Sequence, residues 1–147
     1  MIVSQPDNKP WRSTMSTQFI NPDTLFPPDG FAFSHVAISE GKKLVQISGQ
    51  VAIDKDMKTI GVDDFAAQVA AALENLGHAL KAAGATKTDV SSTRCLIVNY
   101  TPDYIEPLVA AFSAFFGDHR PASTWIGVQA LALPELMIEI EGLAVID

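Results

Sequence analysis

The sequence predicts one α+β domain in which a mixed sheet carries two helices on one of its faces. Three observations predict it. Segments with strand and helix patterning follow one another in the order ββαβαββ. The two helical segments carry one apolar stripe each. The final strand segment alternates strictly, so that one face is wholly apolar or small and the other is mixed.

A chain of 147 residues suffices for one domain with a core of its own, without disulfides or metal. Hydrophobic residues at 48% beside 18% charged ones indicate a globular chain rather than a disordered one. The net charge of −7, with no basic run, argues against a nucleic-acid partner. No apolar stretch is long enough to span a bilayer, and the start of the chain lacks the apolar core of a signal peptide. Cys95 has no second cysteine to pair with, so nothing calls for an oxidising compartment. A cytoplasmic protein is the expectation.

Residues 1–14 (MIVSQPDNKPWRST) are polar, contain proline and show no periodicity. They read as a flexible N-terminal extension, with Trp11 in a solvated tail and residues 15–147 as the single domain. Thr17 to Ile20 suits a short strand, and Asn21 to Gly30 a proline-rich loop. Phe31 to Ser39 and Lys42 to Val51 read as two strands of a hairpin turning at Glu40-Gly41.

Asp63 and Asp64 open a helix at the end of the dipole that favours acidic groups. Phe65, Val69, Ala72, Leu76 and Leu80 form its apolar stripe, and Gly84 closes it. Ser92 to Val98 is a strand. A second helix starts at Thr101-Pro102, buries Leu108, Phe112 and Phe115, and ends at Gly117.

Ala122 to Ala130 and Leu136 to Ile146 are the closing strands. In the last one, Leu136, Ile138, Ile140, Gly142, Ala144 and Ile146 face the helices, while Met137, Glu139, Glu141, Leu143 and Val145 face away. By the same reading Thr124, Ile126 and Val128 point to the helices, and Ser123, Trp125 and Gly127 to the uncovered side. An uncovered face mixing apolar groups with carboxylates and amides suits contact with another subunit.

Four segments, in order, resemble the RidA (YjgF/UK114-type, L-PSP) family. Ser48-Gly49-Gln50 with Asp54 is similar to its "SGQ…D" segment, and Ala72 to Leu76 to its "ALENL" stretch. Phe115-Phe116 leading to Arg120-Pro121-Ala122 resembles "FF…RPA", and Ile138 to Gly142 resembles "IEIEA". The resemblance implies a chorismate-mutase-like fold assembled as a homotrimeric barrel, sheets inside and helices outside, with ligand clefts between subunits. It implies hydrolysis of reactive enamines and imines to a keto acid and ammonia, with no cofactor and no metal.

Carried over by position, the resemblance makes Glu139 the catalytic group that positions or activates water. Gly49 matches the glycine of "SGQ", where a missing Cβ would let a ligand approach the backbone. The arginine that grips the substrate carboxylate in "PAR(S/T)" is replaced by Ser123. The aromatic of "YSQ" is Phe33, and its glutamine is His35. Trp125 stands where the family has a small residue, and Val109 where many members have asparagine.

Phe33, Gly49, Ser123 and Trp125 are therefore the expected ligand-binding residues, beside Glu139. Glu141, His119 and Arg120 suit structural or contact roles, Arg94 suits pairing with a carboxylate across the barrel, and Cys95 suits the core. Two functions follow: a cofactor-independent deaminase acting on a metabolite other than simple 2-imino acids, or a non-catalytic ligand-binding module.

Overall fold

The computed structural model describes residues 17–147, so the expected extension at 1–14, with Trp11, lies outside the described residues. The elements are β1 (Gln18–Ile20), β2 (Val36–Ile38), β3 (Lys43–Val51), α1 (Phe65–Ala82), β4 (Val90–Val98), α2 (Ile105–Phe116), β5 (Ala122–Val128) and β6 (Ile138–Ile146). The α+β class is as the sequence predicts.

The main sheet has the order β3-β6-β4-β5, with β4 and β5 parallel and β6 antiparallel to both β3 and β4. The connections β3-α1-β4 and β4-α2-β5 advance across the sheet in the same direction. A right-handed crossover then places both helices on the same face. The last strand returns into the gap between β3 and β4 and becomes the centre of the sheet.

The expected hairpin at Glu40-Gly41 does not form. Val36–Ile38 pairs with Gln18–Ile20 in a separate two-stranded ribbon. Ser34, just before it, forms a parallel bridge to Ala122 at the other edge of the main sheet. The chain crosses to the far edge instead, where Lys42 N–H donates to the Ile146 carbonyl at 3.0 Å. A turn signal alone does not pair two strands when an edge of another strand offers more partners.

Helix α1 begins as its acidic start predicts: Asp64 caps it, accepting from the Ala67 N–H at 3.0 Å. Gly84, at φ +74°, ends it in a left-handed turn. A 3-10 turn over Pro102–Tyr104 precedes α2. The α2 side facing the core is Leu108, Phe112 and Phe116, whereas Phe115 is partly buried and lies against Gly77 of α1.

The core lies between sheet and helices. Val69, Leu76, Leu80, Cys95, Ile97, Leu108, Phe112, Ile138, Ile140 and Ala144 are all 1% exposed or less, which marks this layer as the seat of stability. Burial along β6 alternates as its sequence predicts. Gly142 is the close-packing point, since a Cβ there would stand 2.8 Å from Leu76 Cδ1.

Strand β5 faces the opposite way from the expectation. It pairs with β4 so that Cys95 is level with Trp125 and Arg94 with Thr124. Level residues share a face, so Trp125 lies with buried Cys95 beneath the helices, its ring centroid 6.5 Å from that of Phe112. Ser123 follows it to that side, and Thr124 and Ile126 point to the uncovered one. Hydropathy alone does not separate the two faces of this strand, and the register with β4 decides.

Two amides fasten α1 to the sheet. Gln68 is fully buried and fully used: its Nε2 donates to the Gly61 carbonyl (3.2 Å) and the Glu135 carbonyl (2.8 Å), and its Oε1 accepts from Met137 N–H at 2.8 Å. Asn75 donates through Nδ2 to the carbonyls of Val51 (2.8 Å) and Ile53 (2.9 Å), holding the end of β3.

Candidate functional site

Glu139, Glu141 and Arg94 lie on the uncovered face of the sheet. Glu139 is level with Leu96 on one side and Val51 on the other, and Glu141 is level with Arg94. These residues share one face, with Gln46 and Leu143 beside them.

Strands β3 and β6 lose register between Ile47 and Gln50, and Gly49 lies inside that bulge. The Glu139 side chain fills the space above the Gly49 Cα: a Cβ built there would collide with Glu139 Oε1, Cδ and Cγ. The absent side chain at Gly49 is thus occupied by the carboxylate of Glu139. That gives the glycine a physical reason distinct from the one its motif suggests.

Next to this pair opens a cavity of about 790 Å³. Its wall runs from Phe33 and His35 across Gly49 and Arg94 to Ser123 and Glu141. The structure brings together Phe33, Gly49 and Ser123 at this cavity, whereas Glu139 is not in its wall and meets it only where its carboxylate lies on Gly49. Trp125 is not in the wall. Its indole lies toward the core, with Nε1 buried and without a hydrogen-bond partner among the described residues.

Ser123 has its hydroxyl engaged, as Thr93 Oγ1 donates to Ser123 Oγ at 2.9 Å. Phe33 belongs to an aromatic cluster with Phe26, Phe31 and His35. His35 is held in place by Asn21 Oδ1, which accepts from its backbone N–H at 2.9 Å, and by its own Nε2, 2.8 Å from the Phe26 carbonyl.

Arg94 and Glu141 form an ion pair at 3.3 Å, with side chains 59% and 40% exposed. Such a pair adds at most about 1 kcal/mol to stability. The pairing expected for Arg94 is therefore made within one subunit, to the next strand. Arg120 donates to the carbonyls of Gly117 and, at 3.3 Å, His119, closing the end of α2. His119 reaches the Val90 carbonyl through Nε2 at 2.6 Å, a structural contact.

Cys95 is buried in the sheet, and burial pushes its thiol far above the ordinary range, which removes it as a nucleophile. No group of ligating side chains suited to a metal occurs among the described residues. Among the described residues, no helix is long and apolar enough to cross a membrane.

What the sequence did not single out is the coupling of distant positions: Glu139 to Gly49, and Thr93 to Ser123. Neither has a signal at one position, because each arises from register between strands that are far apart in the chain. Gln68 did have a signal, being an amide three residues after Phe65 on the apolar face of a helix.

Comparison with known proteins matches this architecture. The family model described as Endoribonuclease L-PSP covers residues 28–146. A protein of unknown function of the conserved Rid family from Yersinia pestis is 41% identical, with a TM-score of 0.84 over 88% of this chain and 98% of that one. A member of the YjgF/YER057c/UK114 family from Mycobacterium tuberculosis is 28% identical, with a TM-score of 0.60 over 88% and 99%. The YjgF gene product of E. coli is 26% identical, with a TM-score of 0.62 over 77% and 87%. With a family model matching most of its length and the same helices over the same mixed sheet, the chain belongs to the L-PSP family, the Rid/YjgF/UK114 proteins.

Proposed function

We propose that this protein is a cofactor-independent hydrolase that deaminates an enamine- or imine-like metabolite in clefts between the subunits of a homotrimer. The observation that carries the reading is the Glu139 carboxylate, seated on the Gly49 backbone at the border of the cavity on the uncovered sheet face.

The chemistry asks little of the protein. Glu139 holds a water, takes one of its protons as the oxygen bonds to the imine carbon, and returns it to the nitrogen. The hydroxyl of the resulting carbinolamine then gives up its proton, relayed by Glu139 to the nitrogen, as the carbon–nitrogen bond breaks, leaving a carbonyl and ammonia. Phe33, Gly49 and Ser123 supply the ligand walls. Neither a nucleophilic side chain nor a metal enters this scheme.

The substrate is other than a simple 2-imino acid. Position 123 has a hydroxyl, turned to Thr93 on the helix side of the sheet, in place of a guanidinium. Losing a bidentate charge-assisted bond there weakens α-carboxylate recognition by about a thousandfold in rate. A nuclease reading finds less support, since the chain carries a net charge of −7.

Support for the trimer comes from the uncovered face, where Leu44 is 66% and Ile126 38% exposed beside Leu143 and the carboxylates. Light scattering after size exclusion should give about three times the chain mass of 15.8 kDa. A monomer at micromolar concentration would remove the cleft and the proposal with it.

The direct test is Glu139→Gln. Turnover of the substrate found by screening should fall by about a hundredfold to ten-thousandfold, with fold and mass unchanged. Normal turnover by that variant would make Glu139 structural. A ligand that binds without ever being turned over would make the protein a binding module instead.

A further inference from the structure

Of the described residues lining the cavity, Arg94 and Glu141 are the only charged ones. They meet through Nη1 and Oε2 at 3.3 Å, and the Arg94 guanidinium makes no hydrogen bond to another described residue. Beyond that ion pair, its planar set of N–H donors, suited to bidentate contact with a carboxylate, has no partner among the described residues. The 59% exposure of its side chain keeps it open to the cavity.

Its position adds a dimension. Arg94 is level with Glu141, and Leu96 with Glu139, so the guanidinium row and the Glu139 row lie two residues apart on one face. That is a spacing of about 7 Å along the strand. Thr124 lies across from Arg94 on β5 and adds a polar side chain on the guanidinium side.

We propose that Arg94 is the anion-binding group of this cavity, with Glu141 holding its place when the cavity is empty. The ligand class is an elongated anion whose carboxylate lies several bonds from the trigonal carbon presented to Glu139. A carboxylate several bonds away matches the spacing of the two rows better than one attached directly to that carbon. The inference rests on the proposed role of Glu139 for the identity of the reacting carbon, while the anion site itself is read by binding alone.

The probes are the stable amide acids from oxamate to adipamate, in which a trigonal carbon bearing nitrogen is moved stepwise away from a carboxylate. In adipamate the two carbons lie about 6 Å apart when the chain is extended. Titration calorimetry on the intact protein should give affinity rising along the series, with adipamate at least about tenfold tighter than oxamate.

Arg94→Met should abolish that preference, lowering adipamate affinity at least about tenfold. Arg94→Lys should restore only part of it, since an ammonium lacks the fork. Glu141→Gln should tighten adipamate binding by removing the internal competitor. Circular dichroism and light scattering check that each variant keeps its fold and mass. Equal affinity along the series, no binding to the wild type at millimolar probe, or wild-type binding by Arg94→Met each overturns the proposal. A normal anion preference in a protein whose Glu139→Gln variant turns over unimpaired would instead retain the anion site and discard the hydrolase.

Discussion

The two faces of the central strand are built from the same nine residues, Ile138–Ile146, and do different work. The face under the helices holds Ile138, Ile140 and Ala144 at 0% exposure and admits nothing larger than glycine at 142. The opposite face holds Glu139 and Glu141, half-buried, beside an arginine with unspent donors and a bulge. Alternation with a period of two thus lets one strand anchor the fold and furnish the site without either role constraining the other's residues. Substitutions on the first face should be read in stability and those on the second in binding, turnover or assembly.

Phe112→Ala puts the largest stress on the stability side. Removing a fully buried ring against Phe116 and Trp125 should cost about 3–5 kcal/mol, measured by urea unfolding. A loss below about 1 kcal/mol would show that the layer beneath the helices repacks freely.

Gln68→Leu is a subtler probe of the same layer. It preserves volume but strands the Met137 N–H and the Glu135 carbonyl in a buried place, so it should cost about 2–4 kcal/mol in the same assay. A neutral outcome would mean that water satisfies these groups.

Arg94→Met carries the smallest expected stability effect and the sharpest contrast. Its ion pair is more than a third exposed on both sides, so unfolding free energy should change by less than about 1 kcal/mol while anion binding collapses. A large stability loss would place Arg94 with the core residues and blur the division between faces.

How far the sequence reaches depends on whether a pattern has one solution. In β6 the apolar face is uninterrupted, so strand, orientation and the exposure of Glu139 were all legible. In β5 the candidates balance, with Ile126 and Val128 on one side and Trp125 on the other. Only pairing with β4 resolves them, and pairing is not written in either strand alone.

The Glu40-Gly41 turn failed for a related reason. A three-residue strand is held by whichever neighbour it pairs with, and here that is Gln18–Ile20. The motif residues, by contrast, were found without their reasons. Asn75 stands out in its helix as part of a familiar stretch, yet its purpose, holding two carbonyls at the end of β3, requires the fold.

The seating of Glu139 on Gly49 also sets the order in which this site can change over generations. While the glutamate is present, any larger residue at 49 must evict its carboxylate, so a change there arrives as a loss of the site. Once the glutamate is gone, position 49 is released and free to accept a side chain. After that, restoring the acid alone no longer restores the arrangement, because its place is taken. The two positions form a ratchet: a change at either one ends this geometry, and once both have changed it returns only when 49 is glycine again.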